Sequence, residues 1–408
     1  MGKLTVEKII SQAWNGNVTF DKSELKDIDL KDNQRRFIQE GIVINYLGNK
    51  VMFNRYDKVS SNNTKTEYKG HKYVMPSFTD EVLALCKAAM EGKSYNLLMT
   101  GPAGSGKSEF VREVAKLGGF SKVYQVNGRD DMDSGDFFGE KTVVVDKVSQ
   151  QNYITFNKGP LYQAFIEGTE LDENGNQILY DDNGNVTTDG SGNPKVIGKP
   201  GLFFLDEFAA LLPGVFLSVF NRAMEIPRQR GASRVIEISA DGGRIVKSHP
   251  CFAMFLAGNT TGKGTETESM MGYTAQNNQM DDSTLNRITA TYRFGYNLEA
   301  EKNIAFDNLK DDYDVDKFMS FRDEIRKQYR NHNVETLLST RSIVQICELA
   351  KILKTSHKKD YMALAIYRSI FSGLRDREMQ AWNEVVRMVF GVNIQTSYEN
   401  ANKNMFYV

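Results

Sequence analysis

The stretch GPAGSGKS, Gly101 to Ser108, fits the pattern GxxxxGK[ST]. Gly101, Gly104 and Gly106 give the loop, completed by Pro102, Ala103 and Ser105, room to curl its backbone N–H groups around phosphate oxygens. Lys107 would neutralise the β- and γ-phosphates of a nucleoside triphosphate, and Ser108 would offer its hydroxyl to Mg²⁺. A second stretch, GLFFLDEF, delivers Asp206 and Glu207 at the end of an apolar run. Asp206 would hold Mg²⁺ through water, and Glu207 would orient and polarise an attacking water. A third, CFAMFLAGN, ends in Asn259, whose amide could reach the γ-phosphate and the water; an asparagine in a turn is the plainer reading.

These residues act together only if the chain brings them to one edge. The apolar pieces YNLLMT, KVYQVN, GLFFLD and FAMFLAGN read as short strands, and FTDEVLALCKAAMEG and KSEFVREVAKLGG read as helices. Thr79 or Asp80 would cap the first helix and Gly92 would end it. Short apolar strands alternating with helices predict an α/β fold: a parallel sheet covered on both faces, with its ligand at the C-terminal strand edge. The strand ending at Asn259 would lie between the strand before the glycine loop and the strand ending at Asp206. The helix after Ser108 adds the favourable partial charge of its N-terminus.

The pattern divides the chain into a small N-terminal α+β unit of unknown role (1–75), an α/β nucleotide-binding domain (76–297) and a helical lid (298–408). Turn signals at Asn174-Gly175, Asn183-Gly184 and Gly190 to Gly192 predict a small β-meander inserted at 169–200; a loop without structure is the other reading. The insertion enters before the strand that ends at Asp206. It therefore leaves from the edge opposite the nucleotide and would shape a face of an assembly or contact a partner. A further hairpin, SRVIEISADGGRIVKSHP, turns at Asp241-Gly242-Gly243. In the lid, TRSIVQICELAKIL places Ile343, Ile346, Cys347, Ala350 and Leu353 on one helix face.

A chain of 408 residues has length for two or three domains, and a net charge of −1 supplies no global field for nucleic acid. The three cysteines are far apart and odd in number, which fits a reducing compartment rather than a disulfide framework. The first ten residues have no apolar core of signal-peptide length, and the longest apolar stretch is broken by Asp206 and Glu207. A cytoplasmic protein without a membrane span is expected.

The order of glycine loop, Asp-Glu strand, Asn-tipped strand, arginines and helical lid resembles an AAA+ ATPase. Within that superfamily it is similar to the MoxR group and, in particular, to the CobS subunit of cobaltochelatase. VYQVNGRDDMDSGDFFGE, FNKGPLYQAFIEG, HPCFAMFLAGNTTGKG and LLSTRSIVQ carry the resemblance, over roughly 75–355. It implies ATP and Mg²⁺ as cofactors and a homo-oligomeric ring, a hexamer, that remodels a partner protein. It also implies that Arg341 contacts the γ-phosphate from the lid and that Arg287 reaches a neighbouring subunit's nucleotide; Arg222 and Arg293 compete for that second role. A narrower reading is the ATPase subunit of a cobalt or magnesium chelatase with a von Willebrand A-type partner. A nucleic-acid-associated NTPase and a non-hydrolysing scaffold are the further alternatives. The long insertion, the separate N-terminal unit and Ala257-Gly258 before Asn259 depart from the CobS pattern.

Overall fold

The computed structural model describes residues 44–46, 49–51, 65–68, 71–145, 152–181, 185–187, 192–259, 282–356 and 360–401. Most of the N-terminal 75 residues, and 260–281 of the stretch between Asn259 and Arg287, lie outside them. Two compact units emerge. One comprises 1–62, 76–101 and 107–293; the other comprises 63–75, 102–106 and 294–408.

In the first unit, β1 (Ile44–Tyr46) pairs antiparallel with β2 (Asn49–Val51). The helix α1 (Thr79–Met90) then leads to β5 (Asn96–Thr100), α2 (Lys107–Leu117) and β6 (Lys122–Asn127). Neither Thr79 nor Asp80 caps α1: the N-cap is Phe78, whose ring offers no acceptor, and the Thr79 hydroxyl donates to Pro76 O at 2.5 Å. Next come α3 (Ser134–Phe138), a ribbon of β7 (Gly139–Val145) and β8 (Asn152–Lys158), and α4 (Pro160–Ile166). Asp133 caps α3 by accepting from Gly135 N, and Asp136 accepts from Asp133 N.

The insertion holds β9 (Leu179–Tyr180), β10 (Val186–Thr187) and β11 (Asn193–Pro194). The expected meander is corrected here: β9 lies in the centre, with β10 and β11 antiparallel on either side. Pro194 carries no N–H and so suits an edge strand. Cations close the sheet's turns, with Lys158 donating to Gly175 O and Lys247 to Gly192 O.

Beyond it lie β12 (Gly201–Asp206), an irregular helical segment over 213–223, β13 (Val235–Ile238), β14 (Arg244–Lys247), β15 (Ala253–Gly258), α5 (Asp282–Leu285) and β16 (Ala290–Arg293). The five-stranded sheet runs β16-β5-β15-β12-β6. Every pair in it is parallel. Thus β15 sits between β5 and β12, as expected for a sheet of this kind. All residues of β5, β12 and β15 are buried, which is why these strands read as continuous apolar runs rather than alternating ones. Phe203, Phe216, Phe220 and Phe252 fill the core beside the sheet.

His249, just before β15, is buried, donates its backbone N–H to Phe165 O and accepts at Nδ1 from Cys251 N at 2.9 Å. Burial pulls its imidazole from the ordinary 6.5 down to about 3, so the folded ring is neutral. The unfolded chain takes up a proton below about 6.5 that the folded chain refuses. This stabilisation is therefore whole above 6.5 and is lost as pH falls toward 3. His249→Asn keeps an acceptor in place but cannot titrate, so it should flatten the fall of melting temperature below pH 6.5. An unchanged slope would refute the assignment.

In the second unit, β3 (Lys65–Tyr68) pairs with β4 (His71–Val74). Its helices are α6 (Leu298–Leu309), α7 (Asp312–Arg330), α8 (Thr340–Ser356), α9 (Tyr361–Ser369), α10 (Asp376–Phe390) and α11 (Ile394–Ala401). Asn297 caps α6 by accepting from Glu299 N and Ala300 N, and Asp311 caps α7 in the same way. The five positions expected on one face of α8 are all buried. Among the described residues no helix is long and apolar enough to cross a membrane.

Candidate functional site

The C-terminal edge of the sheet gathers Lys107, Ser108, Asp206, Glu207 and Asn259 within the first unit. Asp206 ends β12 and stands in register with Asn127 at the end of β6, while Gly258 ends β15 beside Thr100 of β5. Strand geometry alone thus delivers the acidic pair and the amide to the edge from which α2 departs.

Lys107 is buried. Its Nζ donates to Gly101 O at 2.8 Å and to Asn259 Oδ1 at 3.2 Å. The amide of Asn259 donates in turn to Glu207 Oε2 at 3.4 Å, a long contact. Ser108 Oγ donates to Asp206 Oδ2 at 2.5 Å, and Glu207 N donates to Asp206 Oδ1 at 3.1 Å. Asp206 is nearly buried, whereas Glu207 is exposed. The result is a cation bridged by an amide to a solvent-facing carboxylate, beside a hydroxyl–carboxylate pair. That pair is an all-oxygen donor set of the kind a hard divalent ion takes. No group of three or more His, Cys, Asp or Glu side chains suited to a metal occurs among the described residues. Two protein oxygens therefore fit an ion completed by phosphate and water, as Mg²⁺ prefers.

The middle of the glycine loop, Pro102 to Gly106, groups with the helical unit. Gly104 has φ +69, and a Cβ there would lie 3.0 Å from the Ser339 side chain and 3.3 Å from Arg341 Cβ. Tyr296 Oη donates to Ala103 O at 2.9 Å. Arg341, exposed in the first turn of α8, thus lies beside the loop within that unit.

The candidate arginines separate by edge. Arg293 pairs in register with Thr100, at the glycine-loop edge. Arg287 precedes β16, whose first residue Ala290 pairs with Leu97, so Arg287 lies at the opposite edge. There Asn96 Nδ2 donates to Arg287 O at 2.8 Å and to Met224 O at 2.6 Å. Arg287 Nη1 donates to Ser283 O, and exposed Arg222 pairs with Glu237 at 3.6 Å. Thr284 Oγ1 donates to Asn221 Oδ1 at 2.8 Å, so Arg222 and Arg287 share one neighbourhood.

Sequence reasoning missed what anchors that neighbourhood. Arg234 is fully buried and donates to Asn96 Oδ1 and Ala223 O, both at 2.7 Å, and to Ser94 Oγ at 2.6 Å. Burial draws its guanidinium down to about 9, still protonated at neutral pH. The polar Ser94 and Asn96 at the entry to an otherwise apolar strand were the available signal.

Residues 96–269 match the family of AAA domains of the dynein-related subfamily. With the sheet order above, this region has the fold of a P-loop AAA+ module. Among solved structures, a RuvB mutant from Thermotoga maritima is 13% identical, covering 80% of this chain and 86% of its own, with a TM-score of 0.38. A protein of Cytophaga hutchinsonii described as an ATPase is 12% identical, covering 76% and 88% respectively, with a TM-score of 0.32. No curated protein matches the chain at a significant level.

Proposed function

We propose that this chain, built on an AAA domain, binds ATP with Mg²⁺ and hydrolyses it as one subunit of a homo-oligomeric ring, a hexamer of MoxR type that remodels a partner protein. The observation that carries the ATPase part is the linked set Lys107–Asn259–Glu207 beside Ser108–Asp206 at the C-terminal sheet edge. The resemblance of the stretch from His249 to Arg287 to the MoxR group supports the ring and the remodelling.

Each residue then has a defined task. The loop Gly101 to Ser108 binds the phosphates through its N–H groups, and Lys107 exchanges Gly101 O and Asn259 for phosphate oxygens. Ser108 and Asp206 would hold Mg²⁺, which supplies charge neutralisation at the phosphates. Glu207, the one exposed carboxylate of the set, orients the attacking water and takes its proton. Asn259 holds Glu207 toward that water. Arg341 sits beside the loop and senses the γ-phosphate. Arg287 lies at the edge opposite its own Lys107, so the nucleotide it serves is a neighbour's; Arg222 beside it helps form the same boundary. Arg293, at the edge of its own glycine loop, is a poor candidate for that task.

Complementation in mixtures tests both the hydrolysis and the assembly. Lys107→Ala and Arg287→Ala subunits should each lose ATPase activity alone, the second by about 10³-fold or more. Mixed, they should regain a share of it, because the intact Arg287 of one serves the intact loop of the other. No recovery at any ratio would remove the in-trans role.

A further inference from the structure

Glu207 has φ 52 and ψ 43, a left-handed backbone that residues with a side chain seldom adopt. Such a conformation persists only where its surroundings enforce it. Two glycines stand against it. Gly128, just after β6, donates its N–H to Asp206 O at 2.8 Å, and a Cβ on it would come within 2.5 Å of Glu207 O. Gly258, the residue before Asn259, lies under the ring of Phe208, the residue after Glu207. A Cβ there would come within 2.6 Å of Phe208 Cε1 and 2.8 Å of Cδ1. Phe208 is fully buried and meets Phe216 edge-on at 6.3 Å, so the ring moves only by displacing its neighbours in the core.

We propose that Gly128 and Gly258 are positioning residues that clamp Glu207 from its two neighbouring strands, with the Phe208 ring seated on Gly258 setting the distance between the carboxylate and Asn259. The proposal rests on the ATPase reading. The absence of a Cβ on β15 lets Phe208 approach its backbone. Phe208 and Glu207 are adjacent in the chain, as are Gly258 and Asn259, so the ring contact and the 3.4 Å amide–carboxylate contact form one closed loop of covalent and packing constraints. A methyl group on Gly258 must push the ring away and move Glu207 with it. The atoms nearest to that methyl all belong to the Phe208 ring, and none belongs to Lys107, Ser108 or the glycine loop. Turnover should therefore suffer while ATP affinity holds.

The test is a double-mutant cycle on the full chain, read as kcat at saturating ATP, as ATP Kd and as melting temperature. Gly258→Ala should lower kcat by about 10- to 100-fold with Kd within about 3-fold, the scale expected when a reacting group is displaced by about an ångström. Adding Phe208→Leu, which makes room for the methyl, should raise kcat at least about 5-fold above Gly258→Ala alone, a coupling that independent sites would not show. If Gly258→Ala does not fold, Phe208→Leu alone serves: about a 5-fold loss of kcat with Kd held is expected, and an unchanged kcat overturns the clamp. In a wild type that hydrolyses ATP, an undiminished Gly258→Ala, or a double variant no better than it, overturns the clamp alone. A folded wild type that binds ATP without hydrolysing it overturns the ATPase reading and the clamp together.

Discussion

Glu207→Gln should bind ATP within about 3-fold of wild type and lose turnover by about 10²- to 10⁴-fold, the range that a positioned general base supplies. The substitution keeps the side chain's length and volume and still offers an oxygen to the Asn259 amide, which now donates to Glu207 Oε2 at 3.4 Å. It asks nothing new of the left-handed backbone, since Gln and Glu meet the same restriction there. The groups assigned to phosphate binding are elsewhere: Lys107 holds Gly101 O and Asn259, and Ser108 holds Asp206. Affinity and turnover should therefore separate, which a structural defect would not produce. Phosphate release under saturating ATP, with Kd from calorimetry, measures both. Turnover at the wild-type level would transfer the base role away from Glu207. Loss of binding and turnover together would mean that the carboxylate supports the loop rather than the water.

The parts of this site that were legible in the sequence are those set by strand direction. Apolar runs that end in Asp206-Glu207 and in Gly258-Asn259 read as buried parallel strands emptying at one edge, and a glycine loop between strand and helix opens on the same edge. The place of β15 between β5 and β12 was expected from the kind of sheet, because apolar runs do not fix lateral strand order. Contacts between residues far apart in sequence were not legible. Nothing in FLDEF says that Phe208 will seat on Gly258, or that Glu207 will turn left-handed, because both depend on how β6 and β15 flank β12. The departure at Ala257-Gly258 is visible in the sequence, but its steric reason is not. The insertion shows the limit for turns: Asn-Gly pairs mark where the chain reverses, not which neighbour a two-residue strand chooses, so the expected meander gave way to a sheet centred on β9. Likewise Arg234 reads as one more surface arginine until burial joins it to Ser94 and Asn96.

Glu301→Gln should destabilise the helical unit by about 3–5 kcal/mol, the cost of breaking a buried ion pair by removing one partner. Glu301 is fully buried in α6. Its Oε1 and Oε2 accept from Arg326 at 2.7 and 2.8 Å, and Oε2 accepts from Arg322 at 3.2 Å. Both guanidiniums are themselves nearly buried. Gln fills the same space but brings no charge, so two cations would remain in a low-dielectric interior; Arg322 keeps Asp323 at 2.8 Å, and among the described residues Arg326 keeps Leu338 O, the face of Tyr296 at 4.0 Å and no carboxylate. The consequence should reach the glycine loop by a path of named contacts within the unit. Glu301 Oε1 accepts from Thr340 Oγ1 at 2.5 Å, at the start of the helix that carries Arg341. Tyr296, stacked on Arg326, donates to Ala103 O of the loop. Glu301→Gln should therefore weaken ATP binding as well as stability. Trp382, buried in this unit with its ring 5.9 Å from Phe321, reports the unfolding by fluorescence in urea. An unmoved midpoint would show that the Glu301 charge does not hold these helices. A shifted midpoint with unchanged ATP affinity would confine its role to packing and leave the loop to be set by Tyr296 alone.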